Sequence, residues 1–273
     1  LKIAGRNAKL PPRAPGPIIS RVARRIHVPV VLSGEIVLDE SQAHHLRDVL
    51  RLKIGSRIEL FDAAGMVADA VVTRVDPAGV TVRVDAIERA KSGGELVVAS
   101  AVPRGDRADW MIEKLSELGV SRFIPLQTAR SVVHPAGNSK RDRWMRIATE
   151  SAKQSHRAGV MRIDELTPLD ALLRGMGVSP VHQRLEPQSH GRDAHATWYL
   201  STADDATELR DVINSQLDRL TLFIGPEGGW TDEELLRFAQ GNLTPVKLTA
   251  TILRVETAAI ASAAIAATVV LRR

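Results

Sequence analysis

Cysteine is absent from the 273 residues, which excludes disulfides, thiolate nucleophiles, Cys-ligated zinc and iron–sulfur clusters. Aromatic residues are scarce at 3% of the chain, so a core must be built from aliphatic side chains. Acids are missing from the start: Lys2, Arg6, Lys9, Arg13, Arg21, Arg24 and Arg25 all precede the first carboxylate, Glu35. These seven charges exceed the net charge of +5, so the rest of the chain sums to −2 and the basic character is N-terminal. No apolar run follows these cations in the manner of a signal peptide. The longest apolar stretch, the Ala-rich Ala258–Leu271, is too short for a bilayer, which takes about 20 residues.

What is present reads as a globular protein, 44% hydrophobic and 25% charged. Its length allows one large domain or two ordinary ones. A basic arm suits a polyanion, nucleic acid above all. Residues 1–20 carry Pro11, Pro12, Pro15 and Pro17 and read as a disordered basic extension.

Between residues 21 and 92 the pattern is one of short strands with one helix, Gln42–Leu50. Such an order predicts a small β-barrel of the kind that handles RNA. On that helix His44, Arg47 and Arg51 share a face, which either grips phosphates or is simply solvated. Ala90–Gly94 reads as a linker. Beyond it, from residue 93 on, buried strands alternate with helices: Glu95–Val102, a helix capped by Asp106, Ser121–Leu126, a helix over Lys140–Arg157, and a short helix at Pro168–Gly175. That alternation predicts a parallel α/β sheet. Glu150, Gln154 and Arg157 fall on one helix face, either a site edge or a solvated face. The segment 177–197 has no apolar period and reads as a flexible insertion. Its His182, His190 and His195 lack metal-ligand spacing, so no metal is expected.

The strand Trp198–Ser201, a helix over Asp204–Asn214 and the strand Arg219–Ile224 come next. The last runs into Gly225-Pro226-Glu227-Gly228-Gly229-Trp230, which is followed by a helix capped by Thr231 or Asp232. After Pro245–Leu248 and the loop Thr249–Arg254, a helix runs over Val255–Arg273, small enough in its side chains for a tightly packed core helix or a dimer interface. The glycine loop is neither a dinucleotide fingerprint nor a P-loop. Its glycines let main chain approach a flat ligand closely.

These residues resemble the RsmE-type 16S rRNA (uridine-N3) methyltransferases of the SPOUT class. The resemblance runs from about Arg25 to the C-terminus. It rests on His44-His45-Leu46-Arg47-Asp48-Val49-Leu50-Arg51, on Lys114, Glu117, Leu118, Gly119 and Val120 followed by Pro125 and Arg130-Ser131, on Glu150, Gln154, Ser155 and Arg157, on IGPEGGW, and on ILRVETA. It implies an α/β fold with a trefoil-knotted SPOUT domain after a PUA-like β-barrel. It implies S-adenosyl-L-methionine as cofactor, 16S rRNA in the 30S subunit as substrate, a homodimer and a cytoplasmic location, with neither membrane nor metal. The cofactor would lie against Leu200, Ile224, Gly225, Pro226, Glu227, Gly228, Gly229, Leu248, Ile252 and Leu253. Arg24, Arg25, His44, Arg47, Arg51, Arg130, Gln154 and Arg157 would meet RNA. Arg254 would stabilise charge on the uracil, and Glu227 or Glu256 would assist deprotonation; Glu256 alternatively satisfies backbone donors at a helix start. Another RNA as target, or an inactive RNA-binding assembly factor, are the competing readings. The chain departs from the family pattern at Thr249, where glycine is usual, and in the segment 177–197.

Overall fold

The computed structural model describes residues 24–77, 79–90, 93–133, 138–157, 159–176, 194–214 and 216–271. The basic extension and most of the 177–197 segment, with His182 and His190, lie outside them.

The N-terminal sheet comprises β1 (Arg24–His27), β2 (Gly34–Val37), β3 (Arg57–Phe61), β4 (Met66–Asp76), β5 (Gly79–Val84) and β6 (Glu88–Arg89). Its order is β1-β3-β4-β5-β2, with β6 on β4 and only the β1–β3 pair parallel. Alternation decides its core. Ile58 and Leu60, then Ala68, Ala70 and Val72, then Val80, Val82 and Val84 point inward together, while Asp69 and Arg83 between them stay exposed.

The expected Gln42–Leu50 helix is not one helix. Helix α1 (Glu40–His44) passes into a π-turn over His45–Val49, and Arg51 lies beyond it with φ +50°.

The second sheet is wholly parallel. Its strands are β7 (Glu95–Ser100), β8 (Arg122–Gln127), β9 (Arg162–Ile163), β10 (Thr167–Pro168), β11 (Ala194–Leu200), β12 (Thr207–Glu208), β13 (Leu217–Ile224) and β14 (Thr244–Lys247), in the order β10-β8-β7-β13-β11-β14-β12 with β9 on β8. Helices α2 (Asp106–Glu117), α3 (Asn138–Gln154) and α7 (Val255–Val270) help to cover one face. There Met111, Leu115, Trp144, Ala259 and Ala263 join Leu96, Val98 and Leu222 in one cluster. Helices α4 (Leu169–Gly175) and α6 (Asp232–Gln240) cover the other, where Leu169, Leu173 and Phe238 meet Val97, Ala99 and Phe223. Burial on both faces is why β7 and β13 read as continuous apolar runs.

Three local expectations change. Asp106 is the first helical residue of α2, with Gly105 as its N-cap. Strand β11 begins at Ala194 because main-chain pairing with Leu217–Phe223 of β13 holds its polar start. The Asp204–Asn214 helix shrinks to α5 (Leu209–Val212), since Thr207 and Glu208 pair instead with Val246 and Lys247 at the sheet edge. Helix α7 packs its small residues against β7, β13 and α2, with Ala259, Ala263 and Ala266 fully buried. Its inner side is thus packed as a core helix.

Arg25 links the first sheet to the segment that ends at Arg157, and both guanidiniums are engaged within the fold. Arg25 is 8% exposed; it pairs with Glu59, lies 4.1 Å over the Phe61 ring, and donates to the main-chain carbonyls of Ala152 and Arg157. Arg157 in turn donates to Ser116 O at 3.1 Å, and burial lowers its pKa to about 10, which leaves it charged at neutral pH. Arg25→Met is expected to destabilise the fold by about 2–4 kcal/mol, because it leaves Glu59 and two carbonyls without their donor. Urea unfolding measures this; a midpoint equal to wild type would remove the tie from the account.

Candidate functional site

In a parallel sheet all strands end on the same side, so β13, β11 and β14, adjacent in that order, deliver their following loops to one edge. Those loops enclose a cavity of about 510 Å³. Its walls are Leu200–Ala203 after β11, Ile224–Trp230 after β13, and Leu248, Thr249, Thr251, Ile252 and Leu253 after β14. Val255 and Ala258 of α7, with Arg130 and Leu235, complete it. All ten residues expected to bind cofactor from the sequence therefore line one cavity.

The glycine loop is held from below. Trp230 Nε1 donates to Leu200 O at 2.9 Å, and the indole meets Phe238 edge-on with centroids 4.8 Å apart. A Cβ on Gly225 would stand 3.0 Å from the indole. Gly229 adopts φ +69° and closes a turn by donating to Pro226 O at 2.8 Å. Pro226 is buried and Glu227 is exposed at the rim.

Arg130 lies above this loop and donates through one nitrogen to Gly228 O at 2.7 Å and to Trp230 O at 3.2 Å. Arg130 is exposed, lines the cavity and engages the loop carbonyls through this one nitrogen. The helix after the loop is fixed by a reciprocal cap. Glu234 receives Thr231 N at 2.9 Å while Thr231 Oγ1 receives Glu234 N. The second oxygen of Glu234, a residue 3% exposed, accepts Ala129 N at 2.9 Å and so anchors the segment that carries Arg130. The sequence places Glu234 as a favourable acid in the first turn, and the T-x-x-E pattern at 231–234 is the signal for its reciprocal cap with Thr231.

In the β14 loop, Thr249 does what the usual glycine does not. Its hydroxyl accepts Thr251 N at 3.2 Å and meets Thr251 Oγ1 at 3.1 Å, a side-chain turn that needs no left-handed backbone. Among the described non-glycine residues φ is positive only at Arg51, His156 and Asn242.

Arg254 is the N-cap residue of α7, exposed between the cavity-lining Leu253 and Val255. Glu256 does not reach the cavity. It is 4% exposed and receives Arg107 Nη1 at 3.1 and 3.5 Å. It stands in the first turn of α7, as the helix-start reading has it, but the partner of its carboxylate is Arg107.

The remaining basic positions are dispersed. Arg24, Arg51 and Gln154 are exposed. His44 and Arg47 both engage Asp48, and Arg47 also donates to Asp76 O at 3.1 Å. The Arg47 hydrogen bond, then that of His44, holds the Asp48 carboxyl below its ordinary value. Among the described residues no three His, Asp or Glu side chains group as metal ligands, and no helix is long and apolar enough to cross a membrane.

Comparison with known proteins places this geometry. Residues 90–267 match the RNA methyltransferase domain family and residues 38–85 the RNA methyltransferase PUA domain. The ribosomal RNA small subunit methyltransferase E of Bacillus subtilis is 31% identical over 226 residues, 80% of this chain and 83% of that one. The protein of the same name from Synechocystis is 31% identical over 231 residues, 84% and 71% of the two chains. Among solved structures, a proposed methyltransferase from Legionella pneumophila in complex with S-adenosylmethionine superposes with a TM-score of 0.72 at 25% identity, covering 91% of this chain and 98% of that one. Ribosomal RNA small subunit methyltransferase E from Neisseria gonorrhoeae has the same fold, with a TM-score of 0.73 at 24% identity over 90% and 98% of the chains. With a PUA-type sheet ahead of a parallel sheet that carries the three-loop cavity, the chain belongs to the RNA methyltransferase family, alongside the ribosomal RNA small subunit methyltransferases E.

Proposed function

We propose that this chain methylates N3 of a uridine in 16S rRNA, using S-adenosyl-L-methionine, on the small ribosomal subunit in the cytoplasm and as a homodimer. The observation that carries the reading is the cavity at the ends of β11, β13 and β14. Its size falls in the range of about 300–1,000 Å³ usual for small-molecule sites. Apolar Leu200, Ile224, Leu248 and Leu253 suit the faces of an adenine ring, and the main chain of the glycine loop suits its polar edge. The residues present therefore fit an adenosyl cofactor. A trefoil knot formed by the three loops, a domain boundary near 92–93 and the half-buried outer face of α7 as the dimer contact belong to the same proposal.

When bound, the cofactor supplies an electrophilic methyl group on a sulfonium. In the transfer the methyl–sulfur bond would break as the methyl–N3 bond forms, and the N3 proton would have to leave. Uridine N3 is an imide nitrogen, a poor nucleophile until that proton is gone. Glu227, exposed on the cavity rim, accepts it. Arg254, beside the cavity, holds the negative charge that develops on a uracil oxygen. Leu248 and Leu253 keep water from the reacting atoms. Arg24, Arg51 and Gln154 meet the RNA backbone from outside.

Calorimetry with S-adenosylmethionine, followed by mass mapping of nucleosides in 16S rRNA from a deletion strain, tests the reading. Absence of binding, or a deletion rRNA with every methyluridine intact, would reject it. Removing Arg24 and Arg51 together is expected to lower the slope of log affinity against log salt by about one unit per charge. An unchanged slope places the RNA elsewhere.

A further inference from the structure

We infer that Arg107 is a positioning residue for methyl transfer, acting through Glu256 to set the direction in which Arg254 points. The inference rests on the function proposed above. The two helices that flank the cavity begin differently. Helix α6 is fixed by its Thr231–Glu234 cap. Helix α7 has no such device: its N-cap is Arg254, and no side chain caps its first turn. Glu256, two residues on, is the acid of that turn, yet its buried carboxylate turns away from the helix amides to Arg107.

Arg107 belongs to the first turn of α2, 149 residues away in sequence. It reaches Glu256 with one nitrogen facing both carboxylate oxygens, at 3.1 and 3.5 Å, and is itself 39% exposed. The pair joins the beginnings of α2 and α7, which pack along the sheet. A carboxylate 5% exposed on its side chain cannot turn to solvent if the guanidinium is lost, so the start of α7 must shift to satisfy it. Arg254 immediately precedes that turn. A displacement of about 1 Å at a group that must meet a developing charge can cost about a hundredfold in rate. Most of the cofactor walls, Leu200–Ala203 and Ile224–Trp230, lie in the loops after β11 and β13; Leu253, Val255 and Ala258 are the wall residues that border this turn.

The test separates rate from binding. In Arg107→Met, single-turnover methylation of 30S particles is expected to fall by about 30-fold or more, with S-adenosylmethionine affinity within about threefold of wild type. Arg107→Lys, which restores the charge, recovers most of the rate. Arg107→Met/Glu256→Gln regains thermal stability, since no charge is left buried alone, yet remains slow, because the link from α2 that fixes the first turn of α7 is still missing. A wild-type rate in a folded Arg107→Met, or a rate in the double variant that recovers along with its stability, overturns the positioning role. A wild-type protein that binds cofactor but methylates no 30S particle instead overturns the proposed function and this inference with it.

Discussion

Replacing Arg254 with alanine is expected to slow single-turnover methyl transfer by about a hundredfold to a thousandfold, while S-adenosylmethionine affinity stays within about threefold. The size follows from the chemistry. A donor that meets charge only as it develops contributes to the transition state and not to cofactor binding, and losing one such donor typically costs about 3–4 kcal/mol. The split follows from position. Arg254 is exposed at the N-cap of α7, while its neighbours Leu253 and Val255 form the cavity wall. Among the described residues its guanidinium has no ion pair, so its removal leaves no buried partner and the fold should be unaffected. An Arg254→Ala enzyme with wild-type turnover would remove charge stabilisation by this residue. Equal losses in rate and cofactor affinity would move it into the binding site.

Gly225→Val should abolish detectable cofactor binding, with affinity weaker by about a hundredfold or more. A Cβ at Gly225 would sit 3.0 Å from Trp230 Cε2 and 3.3 Å from two further indole atoms. The indole cannot withdraw without losing its hydrogen bond to Leu200 O, and Phe238 stands against it at 4.8 Å. The strain therefore passes into the loop after β13 and, through Leu200, into the loop after β11. Both line the cavity. Gly175→Ala is the control, because a Cβ there meets nothing within 4 Å, and it should leave binding and stability close to wild type. Calorimetry with both variants decides the matter: tight binding by Gly225→Val would mean that the loop tolerates what the indole contact forbids.

Much of the fold could be read because the pattern of burial is local. Strand β3, Arg57–Phe61, is legible in the sequence because Ile58, Leu60 and Phe61 alternate or cluster between polar neighbours. Strand β13 could be found because Leu220–Ile224 is covered on both faces and Thr221 is the one polar residue within that run. The π-turn at His45–Val49 could not, because composition does not distinguish a 3.6-residue repeat from a wider one over five residues. The polar start of β11 likewise owes its strand geometry to pairing with β13, a partner some twenty positions on.

The candidate site divides along the same line. The glycine loop and ILRVETA were legible as a cofactor site by resemblance, and the ten residues named for it do line one cavity. The roles of the charged residues were not legible. Arg25, Arg130 and Arg157 all read as surface cations for RNA. One is buried between sheets, one clamps loop carbonyls, and one donates into the end of α2. A guanidinium carries five donors and a long apolar stem, so the same residue type serves phosphate, carbonyl or carboxylate equally well.

By itself, then, the sequence determined the order of strands and helices, the family, and the three loops that matter. These follow from periodicity, turn residues and short motifs, each of which acts over a few residues. The tertiary structure alone decided which acid faces the cavity and which cation is free to act. Glu227 and Glu256 differ little as residues, but Arg107 arrives from 149 positions away to claim one and leaves the other at the rim. A charge takes its role from the partner that burial brings to it, and no local pattern specifies that partner.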